Sequence, residues 1–264
     1  MSYKKLGILF LVFIAAIFFW SSSEQWIRNP VWSLVDVQPW VVPVLTLIVL
    51  AASLGIAFML LDTLWLKIGA SALSALPFVA LFGFQPLYLV AALVLVVLHL
   101  NAIQSVADET KNRIKVNARL IVRRGMSMII LPHLLLISFA YYQTPAVKDA
   151  GKDLKLPKSI QQAITSTTEL FVGSQLEQLP AEQRTQVQNQ VTTQLVIQLT
   201  NIAKPYLGYL PPLLAFGLFL ALQGLSPIFF WLASYLALGL FTFLKSIKFF
   251  VIEEKDVKAE TIKV

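Results

Sequence analysis

Two histidines are the side chains of this sequence best suited to proton transfer or metal binding. His99 and His133 each fall in an apolar stretch, and an imidazole exchanges its proton near neutral pH. We expect His99 near the membrane boundary, because it lies close to the polar residue Asn101. Asp108 and Glu109 are the carboxylates that could join the two histidines. Since neither acid lies inside an apolar stretch, the site is poor in metal ligands, and we predict no metal and no cofactor.

Sequence motifs of enzymes and pumps are missing. The chain contains no G-x-x-x-x-G-K-[ST] phosphate loop, no G-x-S-x-G nucleophile elbow and no H-E-x-x-H zinc motif. Asp62 stands alone at the end of an apolar stretch, whereas an intramembrane aspartyl protease needs two carboxylates. Cysteine is absent, which excludes disulfides and thiolate chemistry. An intramembrane enzyme is therefore the least favoured interpretation, with His99 and His133 as its candidate general bases.

Proline and glycine mark two places where a transmembrane helix could bend. Pro132 lacks an amide hydrogen, so it frees a carbonyl one turn earlier, and His133 is placed to bond there or to a neighbouring helix. Gly208, Pro211 and Pro212 stand at the start of a later apolar stretch. They are either a hinge or a rigid helix entry, and we favour the rigid entry.

Composition places these residues in a membrane protein. Of the 264 residues, 57% are hydrophobic and 13% are charged, and the charged share is about half the ~25% of a soluble domain. Mean hydropathy is +0.73. A soluble globule of this length has too little interior for so much apolar surface, and disordered chains are polar, so both classes are excluded.

Seven apolar stretches are long enough, or nearly so, to cross a bilayer as helices. An open sheet leaves backbone groups unpaired in lipid, and the alternating pattern of barrel strands is missing. We predict an all-α polytopic membrane protein of about seven transmembrane helices, its first span a retained anchor, with a small extracytoplasmic helical hairpin. The stretches are 6–22, 41–61, 65–83, 86–104, 126–142, 207–223 and 227–250.

These stretches divide the chain into four parts. A five-span bundle occupies 1–142 and includes a basic cytoplasmic helix near 104–125. Residues 143–205 are rich in Gln and Thr and show two helical patterns. This hairpin is too small for its own core, so it packs on its own bundle or, through 158–204, on a protein partner or a second copy. The remaining parts are spans six and seven in 206–250 and a C-terminal tail in 251–264.

Basic residues predict the orientation. Lys4 and Lys5 precede the first span, and a basic cluster follows the fourth. The positive-inside rule places both on the cytoplasmic side and 143–205 outside, and we predict a multi-pass protein of a prokaryotic cytoplasmic membrane. The cluster should face anionic lipid head groups at 111–124 and not nucleic acid, because no aromatic residue interleaves it. Its members are Lys111, Arg113, Lys115, Arg119, Arg123 and Arg124.

The last two spans leave the side of the C-terminus open. Seven full spans put the tail outside, whereas a re-entrant hairpin over 209–224 would put its lysines inside, where positive charge is preferred. Both alternatives need a break at Gly224–Pro227, and Gln223 then caps a turn. We favour seven spans, because an open backbone inside the bilayer needs protein or water around it.

Tryptophan is concentrated between the first and second spans. Indole rings favour the membrane–water boundary, so we interpret these residues as interface anchors. A lip over a ligand entrance is the alternative. The four tryptophans are Trp20, Trp26, Trp32 and Trp40.

Two further function classes stay open. A non-catalytic scaffold, assembly factor or subunit of a membrane complex explains the apolar spans and requires none of the motifs that the chain lacks, so we favour it. A facilitative transporter or channel-like protein for a neutral or apolar solute, including lipid, is the alternative. Pairs of small residues four apart, Ala70 with Ser74 and Ser71 with Ala75, predict that the third span is tightly packed.

Overall fold

The computed structural model describes residues 2–28, 38–111, 117–150 and 208–252, together with the helical positions 190, 194 and 198. All the regular structure in these residues is helical. Six of the helices are long and apolar enough to cross a membrane. The predicted class, a polytopic helical membrane protein, is confirmed. The predicted hairpin over 143–205 lies almost entirely outside the described residues, as does most of the tail.

Two compact units divide the chain: Met1–Tyr141 with Phe216–Val264, and Tyr142–Ala215. Among the described residues, the first contains four complete helices, all but the last residue of a fifth, and most of the final one. The second contains a short helix and the first residues of the last one. In chain order the helices are α1 (Tyr3–Arg28), α2 (Gln38–Leu60), α3 (Leu64–Phe82), α4 (Pro86–Lys111), α5 (Ala118–Tyr142), α6 (Pro145–Ala150) and α7 (Leu210–Ser246).

Local sequence explains where several helices begin and end. Gly83 has φ 108°, a conformation that favours glycine, and it ends α3. Pro86 begins α4, where its missing amide hydrogen costs nothing. The Asn117 side chain accepts a hydrogen bond from the Leu120 amide at 3.3 Å and caps α5. The predicted basic helix over 104–125 is therefore corrected: it is the end of α4 and the start of α5, and 112–116 lie outside the described residues.

The last two predicted spans form one helix. α7 continues without interruption through Gly224 and Pro227, so the predicted break is wrong for both the seven-span and the re-entrant alternatives. Proline removes one amide donor from a helix, but apolar turns on both sides keep the helix intact where water does not compete. Gln223 is consequently a residue of the helix interior and not a turn cap.

Small residues let α3, α4 and α5 approach closely. Both predicted small pairs of α3 are buried, which confirms a tightly packed face. Gly125 of α5 faces Val106 of α4 so closely that an added Cβ would lie 2.6 Å from a Val106 methyl carbon. The contact leaves no room for a side chain at position 125.

Basic side chains collect at one end of the first unit. Lys4 Nζ lies 3.5 Å from the carbonyl oxygen of Lys248 and 5.6 Å from the centre of the Phe249 ring. Lys5 forms a 2.6 Å ion pair with Asp62, in the turn between α2 and α3. The start of α1, this turn and the end of α7 therefore lie together. We call this the basic end.

Candidate functional site

His99 lies in the middle of α4, whereas we expected it near the end of the span, close to the membrane boundary. Its side chain is fully buried. Nε2 lies 3.2 Å from the carbonyl oxygen of Ile129 on α5, and Nδ1 lies 2.7 Å from the hydroxyl oxygen of Ser71 on α3. A carbonyl only accepts, so the hydrogen-bond network assigns the proton to Nε2 and makes Ser71 the donor to Nδ1. His99 thus ties three helices together.

His133 is also fully buried, and its Nδ1 donates to the same Ile129 carbonyl at 2.9 Å. Ile129 follows Met128 in α5. The Met128 carbonyl has no helical donor, because Pro132, four residues later, lacks an amide hydrogen. The two imidazole rings are 5.2 Å apart. Nε2 of His133 has no hydrogen-bond partner among the described residues. His133 therefore bonds to a carbonyl of its own helix. Among the described residues it bonds neither to the carbonyl that Pro132 frees nor to a neighbouring helix, which corrects the two predicted alternatives.

Trp20 completes this cluster and is placed differently from the prediction. Its side chain is fully buried, and its indole nitrogen donates to the Ser74 carbonyl oxygen at 2.8 Å. The interface-anchor assignment is corrected for this residue, because the helix turns its ring into the bundle, 6.2 Å from His133. Trp26 is buried as well, and its ring contacts that of Trp40 at a tilt, with the ring centres 4.3 Å apart. Trp32 lies outside the described residues.

Among the described residues, no carboxylate contacts either histidine. Glu109 pairs instead with Arg124 at 2.9 Å, and Asp108 is exposed on α4. Within the described ranges no three ligand-type side chains lie close enough to hold a metal. Chemically, the histidine cluster is a set of hydrogen bonds within and between helices, in which Nε2 of His133 is left as an acceptor without a partner among the described residues.

A groove runs between α4, α5 and α7 in the first unit. It consists of two cavities, of about 480 Å³ and 310 Å³, and both are lined by Met128 and Leu131 of α5. α5 is therefore its floor, with α7 along one side and α4 along the other. We call it the lateral groove. The α7 side consists of Gln223, Ser226, Pro227 and Phe230, and the α4 side of Leu98, Asn101, Gln104, Ser105 and Asp108.

Polar groups line this groove although the three helices are apolar. Asn101, Gln104 and Gln223 are all exposed in it. Pro227 has no amide hydrogen to donate to the Gln223 carbonyl, four residues earlier. The Gln223 carbonyl oxygen is therefore a further hydrogen-bond acceptor at this position of α7. Sequence reasoning named Asn101 and Gln223 but assigned neither of them to a groove. The available signal was the presence of amide side chains within long apolar stretches.

A third cavity, of about 210 Å³, shares Arg123 and Phe230 with the lateral groove and continues toward the basic end. The guanidinium carbon of Arg123 lies 5.6 Å from the centre of the Trp231 ring. We call this cavity the arginine pocket. It is lined by Arg119, Arg123, Phe230, Trp231, Ser234, Tyr235 and Leu238.

Of the remaining predicted site residues, Arg123 and Pro132 line the lateral groove. Gly208 lies in a short 3₁₀ segment before α7, and Pro211 and Pro212 lie in the first turn of α7, all three within the second unit. First-turn prolines are typical of a rigid helix entry. Of the basic cluster, Arg119 and Arg123 enter the arginine pocket and Arg124 pairs with Glu109. The side chain of Lys111, and Arg113 and Lys115 entirely, lie outside the described part of the chain.

Comparison of the chain with family models, with curated proteins and with solved structures found no match.

Proposed function

We propose that this integral membrane protein is a non-catalytic scaffold or assembly factor that holds one transmembrane helix of a partner protein in its lateral groove. The polar lining of the groove carries the proposal. Gln223 and Ser226 lie in the interior of α7, about 20–25 Å from its first residue and about 30–35 Å from its last. Lipid tails cannot hydrogen-bond to such groups, so a polar side chain at this depth favours a polar occupant.

The shape of the groove favours a helix as that occupant. Two helices flanking a third leave the depression into which a further helix packs, at about 8–10 Å between axes. The small Ser127 and Ser226 lie in the depression, where they allow close approach and offer hydroxyls. A partner helix with amide or hydroxyl side chains would satisfy the lining.

A facilitative transporter is the second candidate, and the histidine cluster argues against it. A solute path through the bundle would need open polar groups in its centre. The polar atoms of His99, Ser71 and Trp20 instead form hydrogen bonds between helices. Neither histidine lines any of the three cavities described above.

The proposed orientation places the basic end in the cytoplasm. Six membrane-spanning helices return the end of α7 to the side of the N-terminus, in agreement with the contact between Lys4 and Lys248. The positive-inside rule then assigns that side to the cytoplasm and 143–205 to the exterior of a prokaryotic cell membrane. Because the chain has no cysteine, single cysteines at Lys158 and Lys263 can be labelled without background. We expect labelling from outside at 158 and from inside at 263, and the same side for both would overturn this topology.

A photo-crosslinking side chain at Ser226 tests the occupant. We expect one protein adduct in native membranes, with its crosslinked peptide inside a transmembrane helix. A photo-crosslinking side chain placed in that partner helix should in turn crosslink to α5 or α7 of this protein. Gln223→Leu should lower the yield of the adduct formed from position 226. Leu225 is the matched control, because it lies at the same depth, is exposed and does not line the groove. Lipid adducts alone at both positions, or an adduct with a second copy of this chain, would refute the partner helix.

A further inference from the structure

We infer that the arginine pocket binds one anionic phospholipid, with its phosphate between Arg119 and Arg123. The two arginines lie four residues apart on α5, so they are on one face of the helix, and both are exposed. Both line the same cavity. The inference does not require a partner helix in the lateral groove.

The guanidinium groups of Arg119 and Arg123 have no acid within ion-pair distance among the described residues, whereas the adjacent Arg124 pairs with Glu109. Two unneutralised positive charges at neighbouring positions repel each other, and a phosphate between them removes that cost. The planar guanidinium matches phosphate oxygens with paired hydrogen bonds.

The α7 side of the pocket holds one arginine in place and adds a hydroxyl. The ring of Trp231 supports the Arg123 guanidinium at 5.6 Å, which limits the side-chain freedom lost on binding. The hydroxyl oxygen of Ser234 is buried and has no hydrogen-bond partner among the described residues. It lines the pocket and can donate to a phosphate oxygen.

The rest of the pocket indicates a lipid and not free phosphate. Phe230 and Leu238 supply apolar surface beside the arginines. The rings of Trp231 and Tyr235 are 6.0 Å apart and tilted to each other, and both are half-exposed, so they extend the apolar surface beside the arginines. The pocket also lies toward the basic end, where anionic lipid is attracted. An amphiphile with a phosphate at one end and acyl chains along Phe230 fits both parts of the lining.

Lipid exchange on the purified full chain tests the inference. In nanodiscs of phosphatidylcholine with a minor fraction of phosphatidylglycerol, we expect one phosphatidylglycerol bound per chain by native mass spectrometry. Arg119→Gln with Arg123→Gln should weaken binding about 25-fold, about fivefold for each arginine near an anionic surface. Lys245→Gln with Lys248→Gln removes the same charge from the basic end outside the pocket and should change binding less than twofold.

Other outcomes would overturn the inference. Equal losses in the two double variants would show attraction to general surface charge. Competition by inorganic phosphate at millimolar concentration would show a free-anion site, and equal retention of phosphatidylcholine would show an apolar site only. Replacement of both arginines by lysine should retain part of the affinity, which separates a phosphate site from a folding defect. The partner-helix proposal is tested separately, by crosslinking at Ser226, so a negative result of the lipid experiment does not bear on it.

Discussion

His99 and His133 donate to the same backbone carbonyl, that of Ile129, from two different helices. The shared acceptor fixes the distance between α4 and α5 beside Pro132, where the regular helical hydrogen bonding of α5 is interrupted. Ser71 extends the network to α3 and Trp20 extends the cluster to α1. Four helices therefore meet around one turn of α5.

The Ser71 hydroxyl should contribute measurably to stability. Ser71→Ala leaves Nδ1 of His99 buried without a donor, and we expect a loss of about 1–2 kcal/mol in the free energy of unfolding. Ser53→Ala is the control, because Ser53 is equally buried but bonds only to the Val49 carbonyl of its own helix. Denaturation by sodium dodecyl sulfate in mixed micelles measures both. Equal losses would contradict the interhelical role.

The contact at Gly125 should not tolerate a methyl group. Gly125→Ala places a carbon 2.6 Å from a Val106 methyl, so we expect the free energy of unfolding to fall by about 1–3 kcal/mol. Val106→Ala removes that methyl and should recover most of the loss in the double variant. Thermal unfolding in detergent of the wild type, the two single variants and the double variant measures this coupling. If the stability losses of the two single variants simply add in the double variant, the contact is contradicted.

A glycine should improve the end of α7. Lys248 has φ 55°, and the bonds from its amide to Lys245 O and from the Phe249 amide to Leu244 O are those of a glycine-type helix end. Lys248→Gly relieves the left-handed strain and should stabilise the protein by about 0.5–1 kcal/mol. Lys245→Gly, inside the helix, should destabilise it by a similar amount. The melting temperature should therefore rise for Lys248→Gly and fall for Lys245→Gly. A change in the same direction for both variants would contradict the explanation.

The ion pair between Lys5 and Asp62 should be visible in a titration. The hydrogen bond from Lys5 lowers the pKa of the Asp62 carboxyl below its ordinary value. The stabilisation is therefore present above the ordinary pKa of an aspartate and is lost as the pH falls through the lowered value. Lys5→Gln should raise the pKa of Asp62 toward the ordinary value, as measured by NMR of labelled aspartate carboxyls. An unchanged pKa would show that Lys5 is not the cause.

Sequence alone predicted the class of fold and the tight face of α3, because hydropathy and small-residue spacing are local signals. It did not predict α7 as one helix. Gly224 and Pro227 resemble a turn by type, but the apolar residues on both sides decide the local structure. It placed Trp20 at an interface for a similar reason, since residue type does not tell which face of α1 the ring occupies.

The candidate sites were only partly predictable. Arg119 and Arg123 were identified as a basic surface, yet their proximity to Trp231 depends on the packing of α5 against α7. Gln223 and Asn101 come from distant parts of the sequence, and periodicity does not indicate which helices become neighbours. The chemistry of the lateral groove is a property of tertiary packing.

The length of α7 sets a condition on the bilayer. Its 37 residues extend about 55 Å, against a hydrocarbon thickness of about 30 Å. This hydrophobic mismatch is relieved by a steep tilt or by local thickening of the bilayer, and each carries a modest cost for every ångström. Lipids with longer acyl chains reduce the mismatch. The protein should therefore distribute by membrane thickness, enriched where the bilayer is thickest.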